Sequence, residues 1–197
     1  FAVVVLDQFL ERRRPYQLIW TFALVLYALS SFMAFLVETR GLAQFPYRLW
    51  YAVGAGLVAA YLGTGSVFLL ASPSVARTIL AVLGALTVIY VFLVFTVPLR
   101  QPLEALEGRP LTGRGFFPPQ VVVLTVLLNI YGTIALVGGA LWSAVRYAQR
   151  GAPGYRVSAM VLIALGGLIS AAGGTLARFG VPEPHALALL LGVIVIF

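Results

Sequence analysis

Ordinary acid–base or metal chemistry in this chain would have to come from six carboxylates and one imidazole. Asp7, Glu11, Glu38, Glu104, Glu107 and Glu183 all lie at the ends of apolar runs or between them, and His185 opens the last run. A pair of carboxylates at working separation would have to be Glu104 with Glu107 or Glu38 with Glu183, and a serine hydrolase would have to recruit His185 as its base. There is no Cys, so thiolate nucleophiles, thiolate metal sites and disulfides are excluded. A proton-driven transporter, a bis-His haem site or a zinc enzyme each needs ionisable groups deep in the apolar stretches, and none is there. The expectation is a protein that is not an enzyme, with no catalytic residue, no metal site and no cofactor.

Uncharged polar groups are better placed. Thr125, Asn129 and Thr133 recur every four residues, which puts them on one helix face with Asn129 close to its middle. Two readings stand: a ligand-facing stripe centred on the Asn129 amide, or contacts that tie helices together. Either one turns this face inward and leaves Val126, Ile130 and Val137 toward lipid or a partner subunit. Tyr27 with Ser30 and Ser31, Thr87 with Tyr90, and Tyr61 with Thr64 are further polar groups within apolar runs. Together they would surround a polar, uncharged pocket suited to a neutral or amphipathic ligand, with Asn129, Thr125, Thr133, Tyr61 and Tyr90 as the expected binding set.

The elements that must position these residues follow from composition. The chain is 61% hydrophobic and 10% charged, and its mean hydropathy is +1.02, far from the balance of a water-soluble domain. A bilayer core needs roughly 20 apolar residues in helix. Five stretches meet this: Gln17–Val37, Leu49–Ala71, Val75–Val97, Gln120–Val145 and Val157–Leu176. Two shorter ones, Phe1–Leu10 and His185–Phe197, are expected to be truncated spans, which gives an all-α polytopic bundle of about seven spans in a single domain, 1–197. Pro and Gly mark the breaks, and aromatics crowd the borders, Phe45, Tyr47, Trp50 and Tyr51 on one edge and Trp142, Tyr147 and Tyr155 on another. Two rows of small residues, Gly56–Ala60–Thr64 and Gly166–Ser170–Gly174, would let helices approach closely and are candidate faces for other membrane subunits. The loop from Pro98 to Pro119 is long for a connector, and its Phe116-Phe117 pair would lie on the membrane interface or act as a ligand lid.

All thirteen basic residues are Arg, and the formal charge is +7. The missing Lys excludes a retinal Schiff-base pigment as far as the visible chain goes. Because the charges sit in short loops, they point to topology and to anionic lipid rather than to nucleic acid. Arg12, Arg13, Arg14, Arg77, Arg146, Arg150 and Arg156 fall on one side, and Arg40, Arg48, Arg100, Arg109, Arg114 and Arg178 on the other. The tight Arg12–Arg14 cluster places the first side in the cytoplasm, with the N-terminus outside and the C-terminus inside.

An offset of 139 residues brings Asp7–Tyr16 onto Arg146–Tyr155 and Gly41 onto Gly180. The first three spans would then repeat as the last three, in the same orientation, with the fourth as linker. This layout resembles that of the SWEET and PQ-loop transporters, which implies a binding site at the repeat interface. The segments Arg14-Pro-Tyr-Gln-Leu-Ile-Trp20 and Tyr61-Leu-Gly-Thr-Gly-Ser-Val-Phe-Leu-Leu70 resemble uncharacterised bacterial multi-pass proteins and, more distantly, the seven-helix input regions of sensor kinases. That resemblance implies a bacterial cytoplasmic membrane and a sensor-type module or assembly subunit. The alternative is a facilitator for a neutral small solute.

Overall fold

Proline decides where three of the long helices begin. Pro15, Pro73 and Pro119 each stand in the first turn, where a missing N–H costs nothing and the fixed φ suits the helix. In the computed structural model, which describes residues 2–108, 111–179 and 183–196, seven helices follow one another: α1 (Ala2–Arg12), α2 (Pro15–Arg40), α3 (Gln44–Leu70), α4 (Pro73–Thr96), α5 (Pro119–Gln149), α6 (Gly154–Phe179) and α7 (Glu183–Ile196). No strand occurs among the described residues. Five helices, α2 to α6, are long and apolar enough to cross a membrane. The other two, of 11 and 14 residues, are shorter than a crossing requires.

The long helices overrun most of the limits read from hydropathy. α5 extends to Gln149 and α3 starts back at Gln44. Hydropathy stops at the first polar residue, whereas a helix continues through a polar border until its backbone is turned. The turns are made by Gly41 (φ 92) after α2 and Gly151 (φ 64) after α5, both in the region that glycine enters without steric cost. After α1 the same office falls to Arg13, which holds φ 52, an uncommon conformation for a residue with a Cβ.

α3 is the centre of the bundle. More than half of its apolar window is buried (56%), against 17% for α4 and for α6. α2 and α5 flank it, α1 packs on α2, α6 on α5, and α7 on α6. The closest crossing joins α3 to α5, where a Cβ on Gly63 would stand 2.6 Å from the Gly132 carbonyl oxygen. The expected small-residue row does part of this work: Ala60 lies at the crossing, but Gly56 instead receives the ring of Tyr90 from α4. Gly166 and Ser170 of the second row meet Gly192 of α7; the side-chain position of the third member, Gly174, lies outside the described residues.

The connection from α4 to α5 folds back into the bundle. The Arg100 N–H closes its neck on the Phe116 carbonyl at 2.9 Å, and a 3-10 turn at Leu103–Leu106 buries both leucines. Phe116 and Phe117 are 4% and 1% exposed. An interfacial position for this pair is therefore overturned: the aromatic rings of α3 offer a drier seat, and the loop caps one end of the helices. At the opposite end the Arg12–Arg14 turn borders Phe68 and Leu69, and Trp142 borders Leu70 and Ala71.

Candidate functional site

The first half of α3 departs from α geometry. Tyr51–Leu57 winds as a π-helix between α-helical turns. Such turns are rare, and they recur at functional sites. Side chains from both neighbours attend it: Ser30 of α2 donates to the Trp50 carbonyl at 3.3 Å, and the Asn129 amide of α5 donates to the Ala55 carbonyl. Asn129 also donates to the Thr125 carbonyl at 2.9 Å. The amide is thus turned inward and partnered, while Ile130 is exposed as expected. Val137 is not: it is buried and packs against Ala140 and Ala164, because α6 covers that side of α5.

One turn before Asn129, Thr125 collects three oxygens. Its hydroxyl lies 2.9 Å from the Tyr90 hydroxyl, 3.2 Å from that of Tyr51 and 2.8 Å from the Val121 carbonyl. Its single proton is offered to both the Val121 carbonyl and the Tyr51 hydroxyl, while the Tyr90 hydroxyl can donate to it. Tyr51 stacks on Phe117 with centroids 4.1 Å apart, so the hydroxyl cluster lies directly beneath the cap. Tyr61 belongs elsewhere on α3, paired with Thr87 at 3.0 Å, and Thr64 pairs with Tyr131 at 2.8 Å. Of the five expected binding residues, the structure gathers Asn129, Thr125 and Tyr90 around the π-turn. Tyr61 stands apart, and Thr133 is half-buried and makes none of these bonds.

Tyr47, Arg48 and Tyr51 belong to this site too, although sequence reading left them in a border belt and a loop. Tyr47 is fully buried, its ring parallel to that of Phe117 and its hydroxyl donating to the Thr112 carbonyl at 2.8 Å. The Arg48 guanidinium donates to the Val94 carbonyl and, at 2.9 Å, to that of Val97. These are carbonyls at the C-terminus of α4, where the helix has no donors of its own left and a cation meets the negative end of the dipole. The signal in the sequence was an Arg held inside an aromatic run just after Pro46, with a Phe-Phe pair waiting in the long loop.

Asp7, Glu11, Glu38, Glu104 and Glu107 are exposed; the side chains of Glu183 and His185, like Arg109 as a whole, lie outside the described residues. Among the described residues no three His, Asp or Glu gather where a metal ion could be held. Two open grooves lie away from the π-turn, one of ≈ 310 Å³ between α3 and α5 near Trp142 and one of ≈ 650 Å³ beside Arg12 and Arg14. The described residues form an all-helical fold with five helices long and apolar enough to cross a membrane, and the central one carries a π-turn flanked by bonds from both neighbours. Comparison with family models, with curated proteins and with solved structures finds no match to this chain.

Proposed function

We propose that the chain is a non-enzymatic membrane module of sensor type, or a subunit docking within a larger membrane assembly. The observation that carries this reading is the π-turn of α3: the Trp50 carbonyl at its entrance receives a bond from α2, and the Ala55 carbonyl within it receives one from α5. A displacement of either neighbour has to change those bonds, which makes the turn a natural coupling element between helices. The buried hydroxyls of Tyr51, Tyr90 and Thr125 are engaged with one another, which suits a packing relay better than an aqueous path. Five apolar helices fit the membrane setting, and we place the Arg12–Arg14 end in the cytoplasm by the tight cluster of Arg there. Purification from native membranes with cross-linking tests the proposal: stable co-purifying membrane subunits or a stimulus-dependent partner are expected, and a lone monomer that moves a solute across liposomes would sink it.

A second reading, a facilitator for neutral small solutes on a three-plus-one-plus-three plan, draws support from the packing order. α1, α2 and α3 pack in succession, as do α5, α6 and α7, with α4, only 17% of whose apolar window is buried, standing between them. It requires the two triplets to superpose with the same hand about an axis near the membrane normal. An experimental structure of the whole bundle decides that.

A further inference from the structure

We infer that the groove at the α1–α2 turn seats the phosphate of an anionic phospholipid, held by Arg12 and Arg14. The groove, of ≈ 650 Å³, is lined by Arg12, Arg14, Pro15, Tyr16, Phe68 and Leu69. Its basic side is made by backbone conformation. Arg13 takes a positive φ of 52 and lays its guanidinium over the Phe9 ring at 6.0 Å, while its two neighbours line one depression together. Neither Arg12 nor Arg14 has a carboxylate partner among the described residues, so two guanidinium forks are left to a ligand, and phosphate oxygens match that fork in charge and geometry.

The surroundings fit a lipid rather than a free anion. The apolar run of α2 starts here and that of α3 ends here, which sets the groove at headgroup depth if the spans cross a bilayer. Phe68 and Leu69 supply an apolar wall for the glycerol and the start of the acyl chains. Tyr16 is held in place edge-on to Trp20 (5.2 Å, 72°), and Trp20 is fixed by its Nε1 donating to the Leu62 carbonyl at 3.1 Å. A positive helix N-terminus, basic side chains and an adjoining apolar wall are the components of headgroup pockets between spans.

Native mass spectrometry of the full chain, released from detergent after exchange into phosphatidylglycerol or phosphatidylcholine, reads the site directly. The wild type is expected to retain phosphatidylglycerol in preference to phosphatidylcholine. Arg12→Gln/Arg14→Gln should weaken that retention by roughly 30-fold, and Arg146→Gln/Arg150→Gln at the same end of the bundle by less than about threefold. Far-UV circular dichroism confirms that each variant keeps its helices. The proposal is overturned if the groove variant holds phosphatidylglycerol like wild type or if the control pair loses as much. It is equally overturned if phosphatidylcholine is held as tightly, or if inorganic phosphate alone saturates the groove at the affinity of the lipid.

Discussion

The side-chain amide of Asn129 is bonded to the backbone carbonyl of Ala55, inside the π-turn of a different helix. An amide in hydrocarbon has no partner but protein, and a π-turn needs one from outside more than a regular helix does. The two irregularities answer each other. Asn129→Leu should therefore lower the unfolding midpoint in detergent by the equivalent of about 0.6–1.7 kcal/mol. A stable variant that loses its response to a partner or stimulus assigns Asn129 a signalling role, whereas a destabilised variant with an intact response assigns it to packing.

Gly132→Val should be among the most damaging single changes in α5. A Cβ there would stand 2.5 Å from the Ala60 nitrogen, and backbone cannot yield as a side chain tip does, so we expect a loss of about 1–3 kcal/mol or no fold at all. Gly138, on the same helix, has nothing within 4 Å of an added Cβ. Gly138→Ala should be neutral or stabilising by up to about 1 kcal/mol, and equal damage from both would refute the close crossing of α3 and α5.

The cap should depend on Phe117 more than on any charged residue of the loop. Phe117 is 1% exposed and stacks on both Tyr47 and Tyr51. Phe117→Ala should cost about 3–5 kcal/mol and open the segment between Arg100 and Arg114 to limited proteolysis. Resistance equal to that of wild type would mean that the loop is held by something else.

Gln17 is 2% exposed, and its Oε1 has no hydrogen-bond partner. An unmet buried acceptor costs about 1–3 kcal/mol. Gln17→Met, similar in shape and without the acceptor, should raise the thermal midpoint, and a clear drop would reveal a partner for that oxygen.

Sidedness is testable without background labelling, because the chain has no native Cys. Arg13→Cys and Arg150→Cys should react with an impermeant maleimide from one face of a sealed vesicle, and Arg114→Cys from the other. Labelling of Arg13→Cys and Arg114→Cys from the same face would break the antiparallel order of α2 to α5.

The five long apolar helices were legible because a bilayer-length apolar run needs only counting, and the inward turn of Asn129 and Thr125 because a polar group with no water must find protein. The convergence of Tyr90 with Thr125, and the separation of Tyr61 from both, was not legible. It depends on which faces of α3, α4 and α5 meet, and each of these helices is apolar nearly all round, so periodicity gives no direction. Val137 shows the same limit: its neighbour could be lipid or α6, and both are equally apolar. The π-turn left no mark, since Tyr-Ala-Val-Gly-Ala-Gly-Leu suits an α-helix as well. Arg48 was misplaced because a count of charges by loop cannot see a cation that caps another helix.

The π-turn also has a meaning in terms of insertions and deletions. A segment bonded from each residue to the fifth beyond holds one residue more per turn of bonding than an α-helix bonded to the fourth. Deleting one residue between Tyr51 and Leu57 would let α3 run in a single α register. With Gly63 still seated on Gly132, the turns before the deletion would keep nearly their present direction around the helix axis, because a π segment already turns the chain less per residue than an α-helix does. Tyr47 would still face Thr112, and Arg48 the carbonyls of Val94 and Val97. A residue removed from the α-helical turns on either side would instead swing the aromatic cap away from the α5 crossing, so the π-turn is the one stretch of α3 that can lose a residue and keep both partners.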